Sequence, residues 1–152
     1  MKPKLLFVLV TVFAVTVLIY PCAAQAKSLP DISGSYFFIE KPPQEFQDID
    51  WISIFTWDGN GGIAPMNGFI RLKRRHQGRF VNYFLINTSL KGRTFTFSTK
   101  AVRGISYRFR GRFLKLDNIA DDEFVLEGHL QKFRAGRKVA EVDARFSYFS
   151  GD

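Results

Sequence analysis

Three arginines stand at alternate positions, Arg108, Arg110 and Arg112. In an extended chain, residues two apart share a face. The three guanidinium groups then line one side of a strand. Arginine offers a planar fork of donors that suits phosphate or carboxylate, so the trio is a candidate anion site. Glu127, Glu141 and Asp143 follow at spacings that can bring them alongside and neutralise it. A charged outer face stitched by ion pairs is the alternative reading.

Other chemistry is thinly represented. His129 and Asp143 resemble half of a Ser-His-Asp triad, but Ser147, the nearest serine on that face, lies two rungs further along and out of hydrogen-bond reach. His76 stands in the basic stretch Lys73-Arg74-Arg75-His76, far from His129, so no catalytic zinc is expected. Asp58-Gly59-Asn60 has the start of a calcium loop without its further acidic ligands. A glycine-rich hairpin turn explains it better. No catalytic residues, metal or cofactor are expected.

The elements that must position these residues follow from a period of two. Ile105, Tyr107, Phe109 and Phe113, then Phe124, Leu126 and Leu130, then Ala140, Val142, Phe146 and Tyr148 alternate with polar residues. That is the pattern of strands with one buried face. Eight strand candidates span about Gly34–Glu40, Trp51–Trp57, Gly68–Arg74, Phe80–Leu90, Thr94–Lys100, Ile105–Leu116, Glu123–Phe133 and Val139–Phe149. Turn signals separate them at Asp58–Gly62, Gln77-Gly78, Lys91-Gly92, Arg103-Gly104 and Ala135-Gly136. Short connections join antiparallel neighbours. The expected fold is all-β, an eight-stranded antiparallel up-and-down barrel, with a β-sandwich as the alternative. Lys41–Asp50, with Pro42-Pro43, reads as a longer loop with one helical turn over a barrel end.

Register follows from the same pattern. A three-residue loop Ala135-Gly136-Arg137 sets Leu126 against Phe146, Gly128 against Ala144, Leu130 against Val142, Glu127 against Arg145 and His129 against Asp143. A four-residue turn Asn118–Asp121 sets Phe113 against Leu126, Gly111 against Gly128, Arg112 against Glu127 and Arg110 against His129. Gly111, Gly128 and Ala144 thus form a row of small residues on the apolar face. Phe109, Phe113 and Phe146 flank it, with Phe95, Phe97 and Tyr107 further on. Missing side chains leave volume, which suits a pocket for an apolar ligand. Sharp strand coiling with phenylalanine filling the gap is the other reading. On the pocket reading, Gly128→Phe abolishes ligand uptake and leaves the fold intact. Trp51, Phe55 and Trp57 share one face, to plug a barrel end or, if exposed, to contact carbohydrate or lipid.

The first residues set the compartment. Lys2 and Lys4 precede an apolar run Leu5–Tyr20, and Ala24-Gln25-Ala26 fits a cleavage site. Residues 1–26 read as a signal peptide cleaved after Ala26, and 27–152 as a single domain, periplasmic or secreted. The run is short for a membrane anchor. Cys22 is the only cysteine and leaves with the signal, so the domain has no disulfide and depends on its core. It keeps 20 Lys and Arg against 14 Asp and Glu, a formal charge of +6. Such a charge suits anionic lipid headgroups at a membrane surface or acidic polysaccharide, and equally serves solubility. Nucleic acid is not an expected partner after export, and a monomer is expected.

This layout resembles the lipocalin-like (calycin) barrels. Their first-strand Gly-x-Trp motif corresponds to Gly34-Ser35-Tyr36, with Tyr36 in place of tryptophan. Arg145 is the candidate for the family's late arginine that packs across that ring. The resemblance implies a barrel with an apolar cup for small hydrophobic molecules. Two functions are therefore carried forward: a non-enzymatic carrier of a small apolar or amphiphilic ligand, and an interaction module that meets anionic envelope components or a protein partner through its basic outer surface.

Overall fold

Strands with one apolar face bury it most completely by curling into a closed wall, which also leaves no unpaired edge. The computed structural model describes residues 30–57, 63–73 and 80–151. Its strands are β1 (Gly34–Phe38), β2 (Ile49–Trp57), β3 (Ile63–Leu72), β4 (Val81–Lys91), β5 (Thr94–Thr99), β6 (Ile105–Phe113), β7 (Phe124–Arg134) and β8 (Arg137–Phe149). Each pairs antiparallel with the next, and β8 returns to β1 through Tyr36↔Tyr148 and Phe38↔Phe146. The result is a closed β1-to-β8 barrel, the expected up-and-down architecture rather than a sandwich. The segment 1–26, His76 and the turns at Asp58–Gly62 and Gln77-Gly78 lie outside the described residues.

The inward positions are those of the period-two pattern. Tyr36, Ile52, Ile54, Ile70, Phe95, Tyr107, Phe113, Leu126, Leu130 and Phe146 are fully buried. The Tyr36 ring sits edge-on to Phe113 and Tyr148 and its hydroxyl donates to the Ile32 carbonyl at 2.6 Å. Burial drives that phenol far above its ordinary range, so it stays neutral. Residues 41–50 contain the expected helical turn, a 3-10 turn at Gln44–Phe46 that inserts buried Phe46. Lys132 Nζ holds it by donating to the Glu45 carbonyl at 2.5 Å.

The register of the last three strands is the expected one, from Phe113↔Leu126 and Gly111↔Gly128 to Gly128↔Ala144 and Leu130↔Val142. Its route differs in two places. The three-residue loop is replaced by a two-residue turn, Ala135 (φ 49°) and Gly136 (φ 78°), which sets Arg134 opposite Arg137. Positive φ at both positions is the type I′ geometry that follows strand twist. A bulge between the pairs Phe133↔Lys138 and Lys132↔Ala140 then takes up one extra residue, Val139, and restores the pairing of the core. The β6–β7 connection is longer than a four-residue turn and runs from 114 to 123, held across its neck by Lys115 Nζ and Glu123 Oε2 at 3.0 Å. Arg145 does not pack across Tyr36. It lies on the outer wall, paired with Glu40 and over the Phe124 ring at 5.6 Å. An odd-numbered residue of β8 in this register faces outward, which keeps it from the core.

Candidate functional site

The outer wall of β6, β7 and β8 presents the charged ladder. The three arginines differ in their commitments. Arg112 Nε donates to Glu127 Oε1 at 2.6 Å. The Arg108 guanidinium lies over the Phe133 ring at 4.5 Å. Arg110 stands between them, exposed, with no hydrogen bond or ion pair among the described residues. The neutralisation expected of Glu127, Glu141 and Asp143 is therefore incomplete. Glu141 and Asp143 serve His129 instead: Nδ1 meets Asp143 Oδ1 at 2.9 Å and Nε2 meets Glu141 Oε2 at 3.2 Å.

This wall is concave. An open hollow of about 820 Å³ has the backbone of Gly111, Gly128 and Ala144 as its floor, with Arg110, Arg112, Arg145 and His129 around it, along with Glu40 and Glu127. A second hollow of about 420 Å³ adjoins it, sharing Arg110 and His129 and reaching Arg108, Ser98 and Asn87. The small-residue row makes the concavity. Without side chains on the inner face, adjacent strands coil sharply and approach closely, so the outer surface dips.

The inner side of that row is filled. A Cβ on Gly111 would lie 2.4 Å from Phe109 Cζ, and one on Gly128 2.6 Å from the same atom. The Phe109 ring therefore takes the volume the glycines leave. It stacks on Phe97 at 5.4 Å between centroids and meets Phe95 at 6.2 Å and Phe146 at 5.9 Å. Phe95, Phe97, Tyr107, Phe109, Phe113, Ala144 and Phe146 are brought together as expected, and all are buried as core.

His129 is the histidine of the ladder, set between two carboxylates. Hydrogen bonds to Asp143, then to Glu141, raise its pKa above the usual histidine value. Both ring nitrogens are thereby engaged, so neither is free to take a proton from a hydroxyl such as Ser147. The side chain of Asp143 is 95% exposed, unlike the buried orienting carboxylate of a triad. A folded pKa above the unfolded one gives stability that is present below about pH 6.5 and lost as pH rises through the folded value. Asp143→Asn is expected to lower the His129 midpoint in an NMR titration. An unchanged midpoint would show that Asp143 does not hold the imidazolium.

A second surface was read only in part from the sequence, as the face shared by Trp51, Phe55 and Trp57. Along β1 to β4 several outward positions are aromatic, interspersed with Ser35, Ser53, Asn67, Arg71 and Asn82. Phe37 meets Phe149 at 6.4 Å and Trp51 at 5.8 Å, while Phe69 meets Phe55 at 5.9 Å and Phe84 at 6.3 Å. Arg71 joins the two sets, its guanidinium 4.7 Å from the Trp51 ring, 5.1 Å from Phe69 and 4.8 Å from Phe80. Trp51 and Phe55 thus lie on the outside, not in a barrel end; the Trp57 side chain lies outside the described residues. The available signal was the parity of Tyr36-Phe37, Trp51-Ile52 and Phe69-Ile70, where one ring or aliphatic must face out whichever way the strand is turned.

No protein-family model matches the chain, no curated protein matches it, and no solved structure matches it.

Proposed function

We propose that this is an exported, non-enzymatic binding protein that works through its outer wall, receiving an anionic group in the hollow over Gly111, Gly128 and Ala144. The observation that carries this reading is Arg110. It is exposed, borders both hollows and has no carboxylate partner among the described residues. Arg112 is held by an exposed bridge to Glu127, and Arg145 by one to Glu40 and by the Phe124 ring. Such bridges are worth at most about 1 kcal/mol, so both side chains can turn onto an incoming anion. The partner class is a phosphate- or carboxylate-bearing envelope component, or an acidic segment of a protein.

The test is titration of the whole chain with polyglutamate at low and high salt, with neutral dextran as the control. Binding is expected at low salt and should weaken steeply as salt rises. Arg110→Gln is expected to cost about tenfold in affinity, the worth of one charge-assisted contact. Equal affinity in the variant would remove Arg110 from the site and the reading with it.

A second reading keeps the small apolar or amphiphilic ligand inside a lipocalin-like barrel. It is supported by the closed eight-stranded wall and by Tyr36, buried at the position where that family carries its tryptophan. Its ligand has to lie away from Gly111 and Gly128 or displace the Phe109 ring.

A further inference from the structure

The two halves of the barrel's outer wall differ in kind. β6 to β8 carry the charged ladder, whereas β8, β1, β2, β3 and β4 carry rings. From Phe149 on β8 to Phe84 on β4 the ring surface crosses four interstrand steps, about 19 Å at the usual spacing. Within it Phe55 is 44% exposed, Phe80 51% and Phe84 56%. Exposed rings gathered on one face, here two sets joined through Arg71, are uncommon on a monomer that meets only water, and they mark a contact surface.

We propose that this aromatic half is a docking surface for an anionic lipid bilayer, on which the barrel lies on its side. Three observations select that occupant. The first is one-sidedness. A barrel that spans a bilayer needs an apolar band all round, and Arg108, Arg110, Glu127 and His129 on the far wall forbid one. A barrel that rests on the interface needs rings on one side and charge on the other, as an interfacial amphipathic helix does. The second is the composition of the patch. Among the described residues it combines tryptophan and phenylalanine with one ionic side chain, Arg71. Indole and guanidinium groups favour the headgroup level, with their apolar parts pointing toward the acyl chains. Arg71 Nε donates to Asn82 Oδ1 at 3.3 Å, and its terminal nitrogens have no acceptor among the described residues. They are available to a lipid phosphate. The third is charge. The domain of residues 27–152 is formally +6, which an anionic surface attracts and a second copy repels. Among the described residues, a second copy on this face would add another Arg71 to the ring cluster and no carboxylate. The proposal uses a different wall from the anion-receiving hollow and does not depend on it.

The experiment uses the chain with its natural N-terminus in a Trp57→Phe background, so that Trp51 is the only indole. All variants keep the same N-terminal segment, whose contribution to binding is then common to all. The probes are phosphatidylglycerol vesicles, phosphatidylcholine vesicles, and phosphatidylglycerol vesicles carrying brominated acyl chains. Trp51 emission is expected to shift to the blue on phosphatidylglycerol, to be quenched by the brominated lipid, and to respond less to phosphatidylcholine. Phe84→Ser, alone and with Phe55→Ser, removes exposed rings and should leave the thermal transition in place. The double variant is expected to lower vesicle partitioning by at least about tenfold. Arg71→Gln should reduce the preference for the anionic lipid. Absent quenching overturns the proposal. So does partitioning that ignores the ring substitutions. Concentration-dependent dimers that Phe84→Ser abolishes, without vesicle binding, would instead assign the face to a second copy.

Discussion

Gly128→Ala is expected to destabilise the barrel by about 2–4 kcal/mol, a large effect for one methyl group. The added Cβ would lie 2.4 Å from Gly111 Cα, 2.6 Å from the Arg110 carbonyl oxygen and 2.6 Å from Phe109 Cζ. A ring tip can swing aside. Two of these three neighbours are backbone of the adjacent strand, which cannot move without parting the β6–β7 ladder. Urea denaturation measures the loss, and a cost below about 0.5 kcal/mol would mean that the strands have room there. The same contacts overturn the expectation that Gly128→Phe would spare the fold and affect only a ligand. A residue that cannot accept one methyl cannot accept a benzyl group, and that variant is expected not to form the closed barrel.

Phe109→Ala is the complementary change and is expected to cost about 3–5 kcal/mol. Phe109 is 2% exposed, and its ring fills the space over both glycines while touching Phe95, Phe97 and Phe146. Its removal opens a dry, aromatic-lined cavity in a wall too tightly paired to collapse. Such cavities take up small apolar solutes. Benzene is therefore expected to raise the melting temperature of Phe109→Ala and to leave the native chain unchanged. An equal shift in both would show that space beside the glycines exists before the ring is removed, and would favour the internal-ligand reading. In the double variant Phe109→Ala/Gly128→Ala the backbone contacts of the new methyl remain. The two costs should then add nearly in full, with only the ring-tip contact relieved.

The sequence was most legible where the two faces of a strand contrast. Arg108, Arg110 and Arg112 against Tyr107, Phe109 and Phe113 admit one orientation, and the pairing of β6, β7 and β8 followed from it. In β1 to β4 the contrast fails. Phe37 beside Tyr36, Trp51 beside Ile52 and Phe69 beside Ile70 are apolar on both faces, so the period-two pattern located strands there and left open whether the Trp51 and Phe55 face was exposed. The glycine row was visible as an irregularity, yet its meaning depended on where one ring pointed. Phe109 could line a cup or fill it, and a rotamer is not written in a periodicity. The uneven pairing of the arginines was hidden for a similar reason. His129 reaches two carboxylates of β8 at once and leaves Arg110 without either, a choice made by side-chain reach, not by register.

The bulge beside the β7–β8 turn has a consequence for how this chain can change length. Pairing alternates inward and outward like a two-letter code, so removing almost any residue of β8 inverts every letter after it. Val139 is the exception. Phe133↔Lys138 and Lys132↔Ala140 are already consecutive rungs, and Val139 stands between them without a partner of its own. If it is deleted, the rungs close up, and Leu130, Gly128 and Leu126 keep Val142, Ala144 and Phe146 opposite them. Within β8, the hairpin that builds the charged hollow carries one spare residue, the place where a homologous chain can be a residue shorter and still spell the same wall.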